Sequence, residues 1–289
     1  NDVVEFEKQF GLNEFVIYQP VTNQLKSVAA SVTAGEKIVE TEVQLRPVRK
    51  WNMHLVQNTH TDIGYTRPQT EIMSELIRHI DLALDYTDQT DHLPEDAQFR
   101  WTAENTWAVD QFLQNRTEEQ VQRLKNRVDE GRIELTGMYL NFDEVPDEQI
   151  LARSLKPVEC IRNHGMEVST AMQNDVNGIG WSVNDYFSSL GIRYLTMGTH
   201  AHKALLVFDH PMPFWWESPS GNRMLAFRGE HYHTGNLRFH ISRGDFGYFE
   251  KELLAYLNEL GDTGYPFDTM MIQHSGYLTD NSPPSVNPS

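Results

Sequence analysis

The chain of 289 residues contains one cysteine, Cys160. An internal disulfide is thereby excluded, and so is a zinc site built on thiolates, which leaves histidine and carboxylate as the side chains able to hold a metal. Positive charge is also scarce. With 24 Lys and Arg against 41 Asp and Glu, the formal net charge is -17, a balance that repels phosphate backbones and removes nucleic acid as a partner. No apolar run approaches the roughly 18 residues of a membrane span, so membrane insertion is not expected. The opening "NDVVEFEKQF" lacks the basic and apolar parts of a secretion signal. A soluble or processed chain is expected, its compartment open with the extracytoplasmic side preferred. Internal repeats and low-complexity tracts are absent too, and nothing in the pattern sets an oligomeric state. What the chain does have is histidine, 12 in all.

Two patterns divide the sequence. From Phe15 to Val48 the segments "EFVIYQP", "KSVAASV" and "KIVETEVQL" are short and β-type with turn residues between them. Residues 1–48 are therefore expected to be a β-rich segment, the tail of a preceding β domain, joined onward by the basic "RPVRK". From residue 49 the pattern alternates. Strand "MHLVQ" precedes a helix carrying Ile72, Leu76, Ile77, Ile80 and Leu84 at helical spacing. Strand "QFRWTAE" comes next, followed by a helix after Thr106 and another that Thr117 and Gln120 open as a capping box and Gly131 closes. Strand "RIELTGM" and a helix disturbed at Pro157 follow, then strand "EVSTAMQ" and a helix stopped by Gly191. Strand "IRYLTMG" leads into a hairpin turned by Pro-Ser-Gly-Asn, with Trp215 and Trp216 as its core and wall. A last helix near Phe246 to Leu260 precedes strand "DTMMIQ". About seven strands alternating with helices predict an α/β fold, either a parallel barrel or a doubly wound sheet.

In such folds the chemistry lies at the C-terminal ends of strands. The residues there are acidic or imidazole: His60 and Asp62, Glu104, Asp143 and Glu144, Asp175, His200 and His202, Glu230, His231 and His233, then His274 and Asp280. In extended backbone, positions i and i+2 face one way, so His60 and Asp62 in "QNTHTDIGY" can offer a nitrogen and an oxygen to one point. That donor pair suits zinc, with Asp175 as the third ligand from another strand. The competing readings are a capping or turn pair for His60 and Asp62, an N-cap or Asx-turn residue for Asp175 and a rival metal pair in His231 and His233. The residues alone leave these open.

"NTHTDIGY", "GRIELTGMYLNFDE" and "MQNDVNGIGW", in that order, resemble the catalytic domain of glycoside hydrolase family 38 α-mannosidases from about Trp51 to Ser289. The resemblance implies a seven-stranded β/α barrel with zinc held by His60, Asp62 and Asp175. It further implies Asp175 as the nucleophile, although Val-Asn-Gly follows it where the family more often has Pro-Phe-Gly-His. Tyr65 falls where the family has an aromatic, usually Trp, under the sugar. Asp280, the carboxylate in "QHSGYLTDNSPPS", falls to the general acid/base. The family's fourth zinc ligand is a distant His, for which His274 is the local substitute. Since family members are several times longer, residues 49–289 are expected to be a barrel cut short at its C-terminus and weak in metal binding.

Asp143, Glu144, Glu230, His231 and His233 complete the expected substrate-binding rim. Two carboxylates about 5 to 5.5 Å apart across a glycosidic bond support retention through a covalent glycosyl-enzyme. Mannose, with its adjacent cis hydroxyls, suits a zinc ion with open positions, so a mannose-containing oligosaccharide or glycan is the expected substrate. The alternatives are a metal-dependent carbohydrate deacetylase or amidohydrolase, with Asp175 as general base, and a non-catalytic carbohydrate-binding barrel.

Overall fold

In the computed structural model the described residues are all but 1, 2, 8, 16, 18, 65, 143–145, 177, 201–205 and 286–289. The chain divides into two compact units, Asn1–Asn52 and Met53–Ser289. In the first, β1 (Lys26–Ala34) and β2 (Lys37–Leu45) form an antiparallel hairpin paired from Lys26↔Leu45 to Ala34↔Lys37. Gly35 opens its two-residue loop at φ 62°, a left-handed conformation that a side chain would oppose. The described residues of the expected strand "EFVIYQP" are not in a strand.

The second unit is α/β with parallel pairing. Strands β3 (Asn52–Asn58), β4 (Trp101–Ala103) and β5 (Ile133–Leu135) lie in one sheet, ordered β10-β3-β4-β5, where β10 is Thr269–Ser275. A second sheet is ordered β6-β7-β9-β8, from β6 (Thr170–Asn174), β7 (Tyr194–Gly198), β8 (Met212–Glu217) and β9 (Arg223–Arg228). One parallel bridge, Thr136↔Thr170, links the two sheets. Seven strands thus succeed one another as the sequence pattern implied, but the expected seven-stranded barrel is not closed. The hairpin explains why. One edge of β9 pairs parallel with β7 and the other pairs antiparallel with β8, so β9 has no edge left for β10.

Helices cover the strands. Helix α1 (Gln69–Gln89) buries Ile72, Leu76, Ile77, Ile80 and Leu84, five positions of one helical stripe, each worth about 1.5–3 kcal/mol. Asn105 caps α2 (Thr106–Asn115), and Thr117 with Gln120 forms the predicted capping box of α3 (Glu118–Asp129). The run after residue 147 is split into α4 (Glu148–Ser154) and α5 (Lys156–Asn163), with Pro157 in the first turn of the second, where its missing N–H costs nothing. Helix α6 (Val183–Ser189) ends at Gly191 with φ 68°. The short α7 (Thr234–Leu237) and the long α8 (Phe246–Asp262) complete the layer. Trp216 packs on the core as expected, whereas Trp215 is 67% exposed because successive strand residues face opposite ways.

Below the strands, opposite charges join α1 to α3 and to the segments flanking that helix. Asp81, Asp85, Asp88 and Asp91 meet Arg116, Arg123, Arg127 and Arg132. Arg132 is the buried member. Its guanidinium donates to the Phe99 and Thr87 carbonyls, the Thr90 hydroxyl, the Gln98 amide oxygen and Asp91. Arg132→Ala should cost about 3–5 kcal/mol by stranding those acceptors, and Arg132→Lys should not restore it, since an ammonium lacks the planar fork. Urea unfolding midpoints of the three proteins check this. His79 on α1 gives a pH test. Burial, with Arg78 adding, pushes its imidazole down to about 4. The neutral form is the one the fold accepts, so the contribution is full above an unfolded value near 6.5 and is lost as pH falls toward 4, about 3 kcal/mol in all. His79→Leu should be the less acid-sensitive protein when unfolding is followed at pH 7 and pH 4.

Candidate functional site

His60 and Asp62 come directly after β3. Their same-face placement is realised, with His60 Nε2 3.3 Å from Asp62 Oδ1. Asp175 comes after β6 with φ 62°, a left-handed conformation costing a non-glycine residue about 1–3 kcal/mol. Its N–H donates to the Gly198 carbonyl at 2.9 Å, carrying the β6–β7 pairing one residue further, and its left-handed φ then ends the strand's alternation. Ser182, not Asp175, occupies the N-cap of α6. One ligand atom from each of His60, Asp62 and Asp175 lies within 4.8 Å of the others.

The imidazole of His60 is held from behind. Its Nδ1 lies 2.9 Å from Glu104 Oε1, and Glu104 also accepts from Asn174 Nδ2 at 2.6 Å and from the Thr61 N–H at 2.8 Å. With Nδ1 donating to Glu104, Nε2 is the nitrogen turned to Asp62, and it offers a lone pair to a metal once its proton is released. Burial opposes the imidazolium, but Glu104 and Asp62 outweigh it by charge and hydrogen bonds and raise the pKa of His60 well above its ordinary value. A cation suits this place. In a tetrahedral zinc site with bonds of about 2.0–2.2 Å the ligand atoms lie roughly 3.3–3.6 Å apart, a separation that His60 Nε2 and Asp62 Oδ1 already have at 3.3 Å, and Asp175 offers its atom within 4.8 Å of both.

Asp280 stands on the turn after β10. Its Oδ2 accepts from the Tyr232 hydroxyl at 2.8 Å, and its Oδ1 from the Asn281 side-chain amide at 3.2 Å. The same amide donates to Asp62 Oδ2 at 2.7 Å. Tyr232 lies against His60 with ring centroids 4.4 Å apart and the planes tilted by 34°. Burial, the bond to Asp280 and the charges of Asp280, Asp175 and Asp62 all disfavour its phenolate, so its hydroxyl stays a donor.

The other expected residues divide. His231 stacks on Tyr232 at 4.4 Å and meets His200 edge-on at 4.4 Å. Burial, then His200 and His233, lower it to about 4. His233 does not share a point with His231, because the chain turns there: the His233 N–H donates to His231 Nδ1 and His233 starts α7, its ring parallel to that of His274 at 6.4 Å. Among the described residues neither imidazole belongs to a converging group of three or more metal-ligating atoms. His274, lowered to about 4 by burial and then His233, is not among the converging ligand atoms. Glu230 accepts from Tyr256 of α8 at 3.3 Å. Tyr65, Asp143, Glu144 and His202 lie outside the described residues. Sequence reasoning gave Glu104 a place at a strand end but no role, and it passed over Tyr232, Asn174 and Asn281. Their one signal was adjacency to named acids and imidazoles.

The profile of the Glycosyl hydrolases family 38 N-terminal domain matches residues 50–287. Among solved structures, the chain is similar to an alpha-mannosidase from Enterococcus faecalis V583, with 17% identity and a TM-score of 0.59 over 82% of this chain and 25% of that one. It is also similar to a protein in the glycosyl hydrolase family 38 from Enterococcus faecalis, with 16% identity and a TM-score of 0.54 over 81% of this chain and 24% of that one. Both likenesses concern the fold, and the chain spans about a quarter of the length of either structure. No curated protein matches it. Since the domain profile runs over almost the whole second unit, the chain belongs to glycosyl hydrolase family 38 and carries its N-terminal domain.

Proposed function

We propose that this domain is the catalytic centre of a zinc-dependent retaining α-mannosidase acting on terminal α-mannosyl linkages of oligosaccharides or glycans. The observation that carries the reading is the convergence of His60, Asp62 and Asp175 in a chain of this family, with Asp280 tied to Asp62 through Asn281. One imidazole nitrogen and two carboxylates are a donor set that zinc accepts. Bound there, zinc supplies a Lewis acid for two adjacent sugar hydroxyls, a cis pair in mannose.

The chain's own residues carry the steps. The Asp175 carboxylate attacks the anomeric carbon as the bond to the leaving oxygen breaks, and that oxygen takes the proton of the Asp280 carboxyl. In the second half Asp280 removes a proton from water, whose oxygen displaces Asp175, and two inversions give retention. The bond from Tyr232 orients Asp280 throughout. His231, neutral above about 4, serves sugar hydroxyls as a hydrogen-bonding group, and His233 supports the same rim. Tyr65 under the ring, with Asp143 and Glu144 on hydroxyls, belongs to the same proposal.

Two outcomes test it. Zinc should bind with one-to-one stoichiometry by titration calorimetry, His60→Ala and Asp62→Ala should abolish binding, and chelation should stop hydrolysis of an aryl α-mannoside until zinc is restored. Activity that survives chelation, or release of acetate from acetylated sugars in place of mannose, would overturn the reading. Asp175→Asn should remove turnover on every α-mannoside. Asp280→Asn should spare activated aryl glycosides and lose about 10²–10⁴-fold on natural disaccharides, whose leaving groups need a proton. Equal losses on both substrates would take the acid role from Asp280.

A further inference from the structure

Asn281 has an arrangement that its place on a turn does not require. Its side-chain nitrogen donates to Asp62 Oδ2 at 2.7 Å and to Asp280 Oδ1 at 3.2 Å, and its side-chain oxygen accepts from the Asp62 N–H at 3.0 Å. Its own N–H donates to Asp280 Oδ1 at 3.0 Å. A neutral amide carries two N–H groups and one carbonyl, so it can bridge two carboxylates without adding charge. Aspartate has nearly the same shape but would present an acceptor to two acceptors.

The turn that carries Asn281 is itself anchored. The Asp280 carbonyl accepts from the His60 N–H at 2.9 Å and from the Ser275 hydroxyl at 2.8 Å, and the Gly276 N–H donates to the Asn58 carbonyl at 2.9 Å. Asn281 is therefore a fixed fork. Taking up Asp62 Oδ2 leaves Oδ1 as the oxygen turned to His60 Nε2, at 3.3 Å. What Glu104 does for the imidazole, Asn281 does for the carboxylate.

We infer that Asn281 is a positioning residue that sets two things with one amide: the metal-facing oxygen of Asp62 and the place of Asp280 relative to it. The inference rests on the metal and acid/base roles proposed above. Its consequence is that zinc affinity and leaving-group protonation depend on the same side chain, although Asn281 takes part in neither directly.

The test compares the protein with Asn281→Asp, Asn281→Ala and, as a control on the same turn, Ser282→Ala, whose hydroxyl accepts from the Thr279 N–H. Zinc affinity by competition with a chelating dye should fall roughly 10–100-fold for both Asn281 variants and stay level for Ser282→Ala. Hydrolysis of natural disaccharides should fall more than that of activated aryl α-mannosides at saturating zinc, the pattern of a displaced acid. Urea midpoints of the zinc-free proteins separate this from lost folding, and Asn281→Ala, which adds no charge, decides the matter should Asn281→Asp fail to fold. If the unsubstituted protein binds zinc and hydrolyses mannosides while both variants match it in affinity and substrate pattern, the inference falls and the mannosidase reading stands. If the unsubstituted protein binds no zinc, both fall.

Discussion

A buried carboxylate at the end of β4 holds the centre of this domain together. The side chain of Glu104 is fully enclosed, a position that costs several kcal/mol unless donors surround it. They do: His60, Thr61 and Asn174 all direct N–H groups at it. Asn174 in turn accepts from the Gly198 N–H at 3.2 Å and from Gln273 at 3.1 Å. The ends of β3, β4, β6, β7 and β10 are thus joined by side chains around one negative charge. Gly198 has to be glycine for this to fit, because a Cβ there would come within 2.5 Å of Asn174 Oδ1 and the Tyr232 Cβ.

That polar plate also bridges the domain's open wall. Backbone pairing stops at β8, which occupies the free edge of β9, and it does not resume at β10. The connection across the interior is made by Gln273 and Asn174 instead. Side-chain hydrogen bonds in a low-dielectric interior are directional and costly to leave unmade, so they can fix the relative position of strand ends that no ladder joins.

Charge is distributed to match. The site gathers Asp62, Asp175 and Asp280 around the hydroxyl of Tyr232, in a chain that is acidic throughout. Carboxylates so placed repel one another unless donors or a cation intervene. Asn281 and Tyr232 supply neutral donors, and the His60 nitrogen faces the remaining gap. The left-handed backbone of Asp175 belongs to the same logic, since local strain is retained where the surroundings over-determine it. Opposite the site, the arginine and aspartate pairs between α1 and its neighbours stabilise the other end of the strands, so rigidity and chemistry occupy separate faces.

Sequence by itself determined the alternation of strands and helices, because apolar periodicity and caps are local: the stripe of α1, the Thr117 box and the break at Pro157 all lie within a few residues of their cause. It also determined that His60 and Asp62 share a face, since extended backbone imposes a period of two. Which distant groups meet them is a property of the packed chain. The 3.3 Å approach of His60 and Asp62 could be anticipated from two neighbouring positions, whereas the clamp of Glu104 on His60 and the bridge of Asn281 link residues 44 and 219 positions apart. The turn that separates His231 from His233, and the loss of barrel closure to β8, were likewise decided in three dimensions. Each depends on which edge or face is already taken by a neighbour, and local patterning carries no record of that.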